Sequence, residues 1–136
     1  MINKQIFINL CVKDLPKAKD FFCKLGFTFN PQFSNDLGAC MVVSEYIFVM
    51  LLTEEHFKSF TPKPICDATK STEVLLCLSC ESRAEVDDTV RNAVSAGGTI
   101  HKEAQDHGFM YGHGFTDLDG HIWELIYMVP TVSKQQ

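Results

Sequence analysis

The sequence lacks several things, and each shortage excludes a class of protein. No apolar run is long: the longest, Tyr46 to Leu52, falls far short of the roughly 20 residues a bilayer-spanning helix needs. No cluster of Lys or Arg stands out, and the formal net charge is −5. The electrostatic footprint of a nucleic-acid or anionic-membrane partner is therefore missing, and neither is expected. With only 5 Pro and 8 Gly in 136 residues, the chain is not a low-complexity linker or fibre. The opening residues form no apolar signal core, so the cytoplasm is the expected location. The 6 cysteines are then expected as reduced thiols, several serving as small core residues.

What is present is globular. Apolar residues make up 46% of the chain and include 11 Phe, enough to bury a core without staples. Ile6 to Val12 reads as a strand. Asp14 can cap a helix that tolerates Pro16 in its first turn, and Leu15, Ala18, Phe22 and Leu25 recur at the period of one helix face. Gly26 suits the left-handed cap. Phe27, Phe29 and Phe33 around Pro31 read as an edge strand. Ala39 to Val43 and Tyr46 to Leu52 follow as strands, and Thr53 can cap a short helix opening with Glu54 and Glu55.

After a linker at about 61–72 the pattern restarts. Val74 to Cys80 is strand-like, Ser82-Arg-Ala-Glu85 is a capping box, and Val86, Val90 and Ala93 give the helix stripe that Gly97 and Gly98 end. Strands are expected at Thr99 to Ala104, Phe109 to Thr116 and His121 to Met128, with a tight turn at Asp119-Gly120. Laying Leu10-Cys11-Val12 on Leu78-Ser79-Cys80 shifts the chain by half its 136 residues, so the halves are internal repeats. The expected fold is α+β: two tandem βαβββ modules (about 5–60 and 73–128, with a polar tail at 129–136). Two such sheets, each needing to bury a face, are expected to form a curved half-barrel around a cavity.

The phrase from Asn9 to Phe27 (NLCVKDLPKAKDFFCKLGF) resembles the opening of the vicinal oxygen chelate superfamily, which includes glyoxalase I, bleomycin-resistance proteins and extradiol dioxygenases. Asp117-Leu-Asp-Gly-His-Ile-Trp-Glu124-Leu resembles its closing strand. The resemblance runs from about Phe7 to Met128 and looks most like the lactoylglutathione-lyase-related bacterial branch. It implies paired βαβββ modules, in agreement with the repeat.

The resemblance also implies a divalent metal held by His, Glu or Gln from the first and last strand of each module. Carried across, those positions fall on Phe7, Leu51, Leu75 and Glu124. Three hydrocarbons and one carboxylate cannot replace a cation's hydration shell, so neither metal nor cofactor is expected. None of the 5 histidines makes a ligand-spaced pair on one helix face; His56, His101, His107, His113 and His121 read as surface or hydrogen-bonded residues. Cys77-x-x-Cys80 looks like a redox or zinc motif, but residues three apart on a strand point to opposite faces, so the pair reads as packing.

Glu124 is the polar holdover. Strand alternation groups it with Ile122 and Ile126, away from Trp123, Leu125 and Tyr127. The expectation is a metal-free small-molecule binding protein of the bleomycin-resistance type, forming a homodimer. Its apolar pocket would be lined by Phe7, Asn9, Leu51, Leu75, Tyr111 and Glu124. The alternative is a glyoxalase-like lyase or isomerase in which Glu124 is the general base on a small carbonyl compound.

Overall fold

The computed structural model describes residues 3–130. The chain divides into two compact units, one running through Asp67 and one starting at Ala68. Each holds one four-stranded mixed sheet with helices, so the protein is α+β with a βαβββ module in each half. No helix among the described residues is long and apolar enough to cross a membrane.

The first module runs β1 (Ile6–Val12), α1 (Leu15–Lys24), β2 (Thr28–Asn30), β3 (Gly38–Val42), β4 (Ile47–Thr53) and α2 (Glu54–Lys58). Asp14 caps α1 by accepting from the Lys17 N–H at 3.0 Å, with Pro16 in the first turn, where its missing N–H costs nothing. Thr53 caps α2 in the same way at the His56 N–H. The sheet order is β1-β4-β3-β2, with β1 parallel to β4. The expected edge strand around Pro31 is cut short: the Asn30 side chain accepts from the Gln32 N–H at 2.9 Å and caps a 3-10 turn at Pro31–Phe33. Leu10, Val12, Ala39, Met41, Val49 and Leu51 are buried together with Leu15, Ala18, Phe21 and Phe22 of α1.

The second module runs β5 (Leu75–Ser79), α3 (Arg83–Ser95), β6 (Gln105–Asp106), β7 (Met110–Thr116) and β8 (Ile122–Met128), in sheet order β5-β8-β7-β6. The capping box forms: Ser82 accepts from the Glu85 N–H at 3.0 Å, and the Glu85 carboxylate reaches back to the Glu81 N–H at 2.7 Å. Val86, Val90 and Ala93 pack with Phe115, Trp123 and Leu125 in this module's core. The strand expected at Thr99 to Ala104 is reduced to a bridge between Thr99 and Thr116, because the polar stretch beyond it has no apolar face to bury, and pairing resumes only at Gln105.

One buried carboxylate ties the closing turn together. Asp117 accepts from the Asp119 N–H at 2.9 Å, the His121 N–H at 3.0 Å and Trp123 Nε1 at 3.0 Å. Burial pushes its pKa up, and the hydrogen bonds and nearby His121 only partly oppose that. Gly120 closes the turn with φ +96°, and the backbone of Ala68 and Thr69 lies within 2.8 Å of where its Cβ would stand.

Candidate functional site

Ladder register decides which side chains share a face, because paired residues point the same way. In the first module Phe7 pairs with Phe48, Asn9 with Met50 and Cys11 with Leu52. This is the face away from the buried Leu10, Val49 and Leu51. Phe7 is 46% exposed and stacks on Phe48 at 4.8 Å between ring centroids. The Asn9 amide donates to the carbonyl of Phe7 at 3.5 Å. Leu51 pairs with Leu10 and is 0% exposed, so its expected place in the pocket lining is corrected: it is core on the opposite face.

In the second module Leu75 pairs with Ile122 and Cys77 with Glu124. Across β7 and β8, Gly114 stands opposite Glu124 and Gly112 opposite Ile126. Leu75 is 57% exposed and shares the face of Glu124. Tyr111 does not. It pairs with Tyr127, on the side of Trp123 and α3, where its hydroxyl donates to Asp87 at 2.6 Å. That hydrogen bond, with burial, raises its pKa. Its expected role beside Glu124 is corrected on the same grounds as that of Leu51.

Two glycines on one strand face remove the side chains that would otherwise flank Glu124. The result is a groove of about 120 Å³ lined by Met110, Gly112, Gly114, Glu124 and Ile126, with the exposed Lys102, Gln105 and His107 along its border. Among the described residues the Glu124 carboxylate has no hydrogen bond or ion pair. Its charge is felt by Cys77, whose thiol is pushed up by burial first and by Glu124 second. The border is held from behind: Arg83 of α3 pairs with Asp106 of β6 at 2.8 Å and lies 5.0 Å over the Tyr111 ring. Lys102, Gln105 and His107 were not legible as site residues in the sequence. The one available signal was glycine at alternate strand positions, 112 and 114, which reads more readily as irregularity than as space.

The cysteine pair behaves as strand alternation requires. Cys77 faces Glu124, whereas Cys80 lies near Glu85 of α3, and burial followed by that carboxylate pushes its thiol up to about 11. Both are free thiols.

The register also allows a test of the metal positions. Glu124 stands two residues beyond the partner of Leu75. The same step beyond the partner of Phe7 is Met50, which replaces Leu51 as the fourth position. In the first unit Phe7 and Met50 offer only a thioether, and in the second Leu75 and Glu124 offer one carboxylate, so neither half presents the donors a hard or borderline cation needs. No group of three or more His, Cys, Asp or Glu side chains among the described residues is placed to hold an ion.

Two βαβββ modules with parallel outer pairs, and a carboxylate on the last strand of the second, define the class. Residues 4–125 match the model of the glyoxalase/bleomycin resistance protein/dioxygenase superfamily, and the chain belongs to that family. No curated protein matches the sequence. Among solved structures, a hypothetical protein from S. aureus is 32% identical over 96% of this chain and 95% of its own, with a TM-score of 0.76. A family enzyme from Burkholderia phytofirmans is similar at 14% identity, covering 93% of this chain and 100% of that one, with the same TM-score of 0.76. The fosfomycin resistance protein FosX from Listeria monocytogenes is similar at 18% identity over 100% of both chains, with a TM-score of 0.66. The last two likenesses concern the fold.

Proposed function

We propose that this protein binds a small organic molecule in the groove beside Glu124 and works without a metal in the family's position. The observation that carries the reading is a half-buried carboxylate, without a partner among the described residues, on the floor of a groove opened by two glycines. A buried or half-buried charge costs free energy unless something pairs with it, and a bound ligand supplies the partner. The poverty of donors in each unit, at Phe7 and Met50 in the first and at Leu75 and Glu124 in the second, supports the metal-free part. The matched family includes bleomycin resistance proteins and the structural neighbours a fosfomycin resistance protein, which supports a small molecule as the ligand class. A homodimer in the cytoplasm belongs to the same proposal.

A second reading makes Glu124 a general base on a small carbonyl compound. It is favoured by Lys102, which borders the same groove and offers a cationic group for a developing oxyanion. Chemical-shift mapping with a fragment library tests the first reading: shifts should cluster at Gly112, Gly114 and Glu124, and binding that maps elsewhere refutes it. Assaying the hemithioacetal of methylglyoxal and glutathione tests the second. A rate that disappears in Glu124→Gln moves the assignment to an isomerase.

A further inference from the structure

The groove carries charge of both signs. Glu124 stands on its floor and Lys102 on its border, joined there by His107 and the amide of Gln105. No ion pair joins Lys102 to Glu124 among the described residues, although both line the same small space. Met110, Leu125, Ile126, the two glycines and His113, whose Nε2 is buried with no hydrogen-bond partner among the described residues, complete the lining. Opposite charges that share a groove without meeting leave a gap between them, and the apolar lining raises the cost of leaving either charge unmatched.

From this arrangement we propose that the ligand is a small zwitterion, an amino carboxylate whose ammonium pairs with Glu124 and whose carboxylate pairs with Lys102. The inference rests on the small-molecule reading of this groove and specifies its ligand class. Size limits the class further. A space of about 120 Å³ is slightly smaller than the cavity of about 150 Å³ that takes up benzene. The part of the ligand inside the groove is therefore a short aliphatic stretch against Met110 and Ile126. A purely anionic ligand leaves Glu124 unmatched and adds repulsion to it. A purely cationic one does the same at Lys102.

Calorimetric titration of the full chain with L-valine, 5-aminopentanoate, isovalerate, isobutylamine and isobutanol tests this. At least one of the two zwitterions should bind about tenfold or more tightly than either single-charge analogue, since one charge-assisted hydrogen bond contributes on that order. Glu124→Gln should reduce that zwitterion to the affinity of isovalerate, and Lys102→Met to that of isobutylamine. Circular dichroism of both variants confirms that they fold. Equal affinity for the zwitterions and a single-charge analogue overturns the ligand class. So does binding of isobutanol, mapped to Gly112 and Gly114, without binding of either zwitterion, though that outcome leaves the small-molecule reading standing. Absence of binding by all five probes overturns both.

Discussion

Gly112 and Gly114 lie two residues apart on one face of β7, yet the structure assigns them opposite responses to a methyl group. At Gly114 a Cβ would stand 2.5 Å from the carbonyl oxygen of Trp123 and 3.3 Å from the Glu124 Cα. Those are backbone atoms of the paired strand and cannot rotate away. Overfilling of this kind costs about 1–3 kcal/mol. At Gly112 the nearest atoms are the Leu125 carbonyl oxygen at 3.5 Å and Ile126 Cγ2 at 3.6 Å, ordinary contact distances. There Gly→Ala mainly restricts the unfolded chain and stabilises by about 0.4–1 kcal/mol. For 136 residues the unfolding entropy is roughly 0.3 kcal/mol per degree near the midpoint. Gly114→Ala should therefore lower Tm by about 3–10 °C, and Gly112→Ala should raise it by about 1–3 °C. Differential scanning calorimetry of the two variants side by side measures both. If Gly114→Ala melts no lower than Gly112→Ala, the close approach of β7 to β8 described here is wrong. Because Gly112→Ala keeps the fold while its methyl enters the groove, it also separates ligand affinity from stability: binding should weaken in a protein at least as stable as the parent.

Other expectations follow from the same geometry. Leu51→Ala should cost about 2–5 kcal/mol because the side chain is core, whereas Leu75→Ala, at a 57% exposed position, should cost under about 1 kcal/mol by its share of buried area; urea titration that ranks them the other way would return Leu51 to the open face. Cys80, with its thiol near 11, should be alkylated by iodoacetamide at pH 8 about twentyfold more slowly than an ordinary exposed thiol, since the loss of thiolate outweighs its greater nucleophilicity; peptide mass spectrometry against Cys23 reads the ratio, and equal rates would contradict the burial. The raised pKa of Asp117 means that the folded state holds its proton more tightly than the unfolded chain. Its contribution to stability is present below the ordinary value of 3.8 and is lost as pH rises through the folded value; Asp117→Asn should therefore gain on the parent between pH 4 and 7 in urea midpoints, and a relative loss would reverse the sign assigned here. Sedimentation equilibrium should return twice the chain mass of 15.3 kDa if the proposed homodimer forms, and a single-chain mass rejects it.

Much of the fold was legible because local chemistry and global pattern agree. Asp14, Thr53 and Ser82 announce their helices, and the recurrence of strand, helix and strands after half the chain announces the duplication. Failures occurred where tertiary pairing decides. Around Pro31 the sequence reads as an extended aromatic strand, yet the Asn30 side chain competes for the backbone and starts a 3-10 turn. Leu51 lies one residue from the open face, and on a strand one residue exchanges the faces. Counting from sequence could not fix that register, because Phe48 to Leu52 is apolar on both sides. Tyr111 fits either face by composition, and its pairing with Tyr127 and its hydrogen bond to Asp87 show which one it takes. Glu124 was legible as an oddity in an apolar strand, whereas its companions Lys102 and His107 sit on a segment without periodic signal.

The contact between Gly120 and the backbone of Ala68 and Thr69 has a consequence for how such a chain can be cut and rearranged. The connector between the duplicated halves is not shared evenly. At Ala68 and Thr69 it is held under the last turn of the second half. A protease nick, a domain insertion or new chain ends for a permuted gene should be rejected at Ala68 and Thr69, where a break would remove the backbone that the turn at Gly120 packs against.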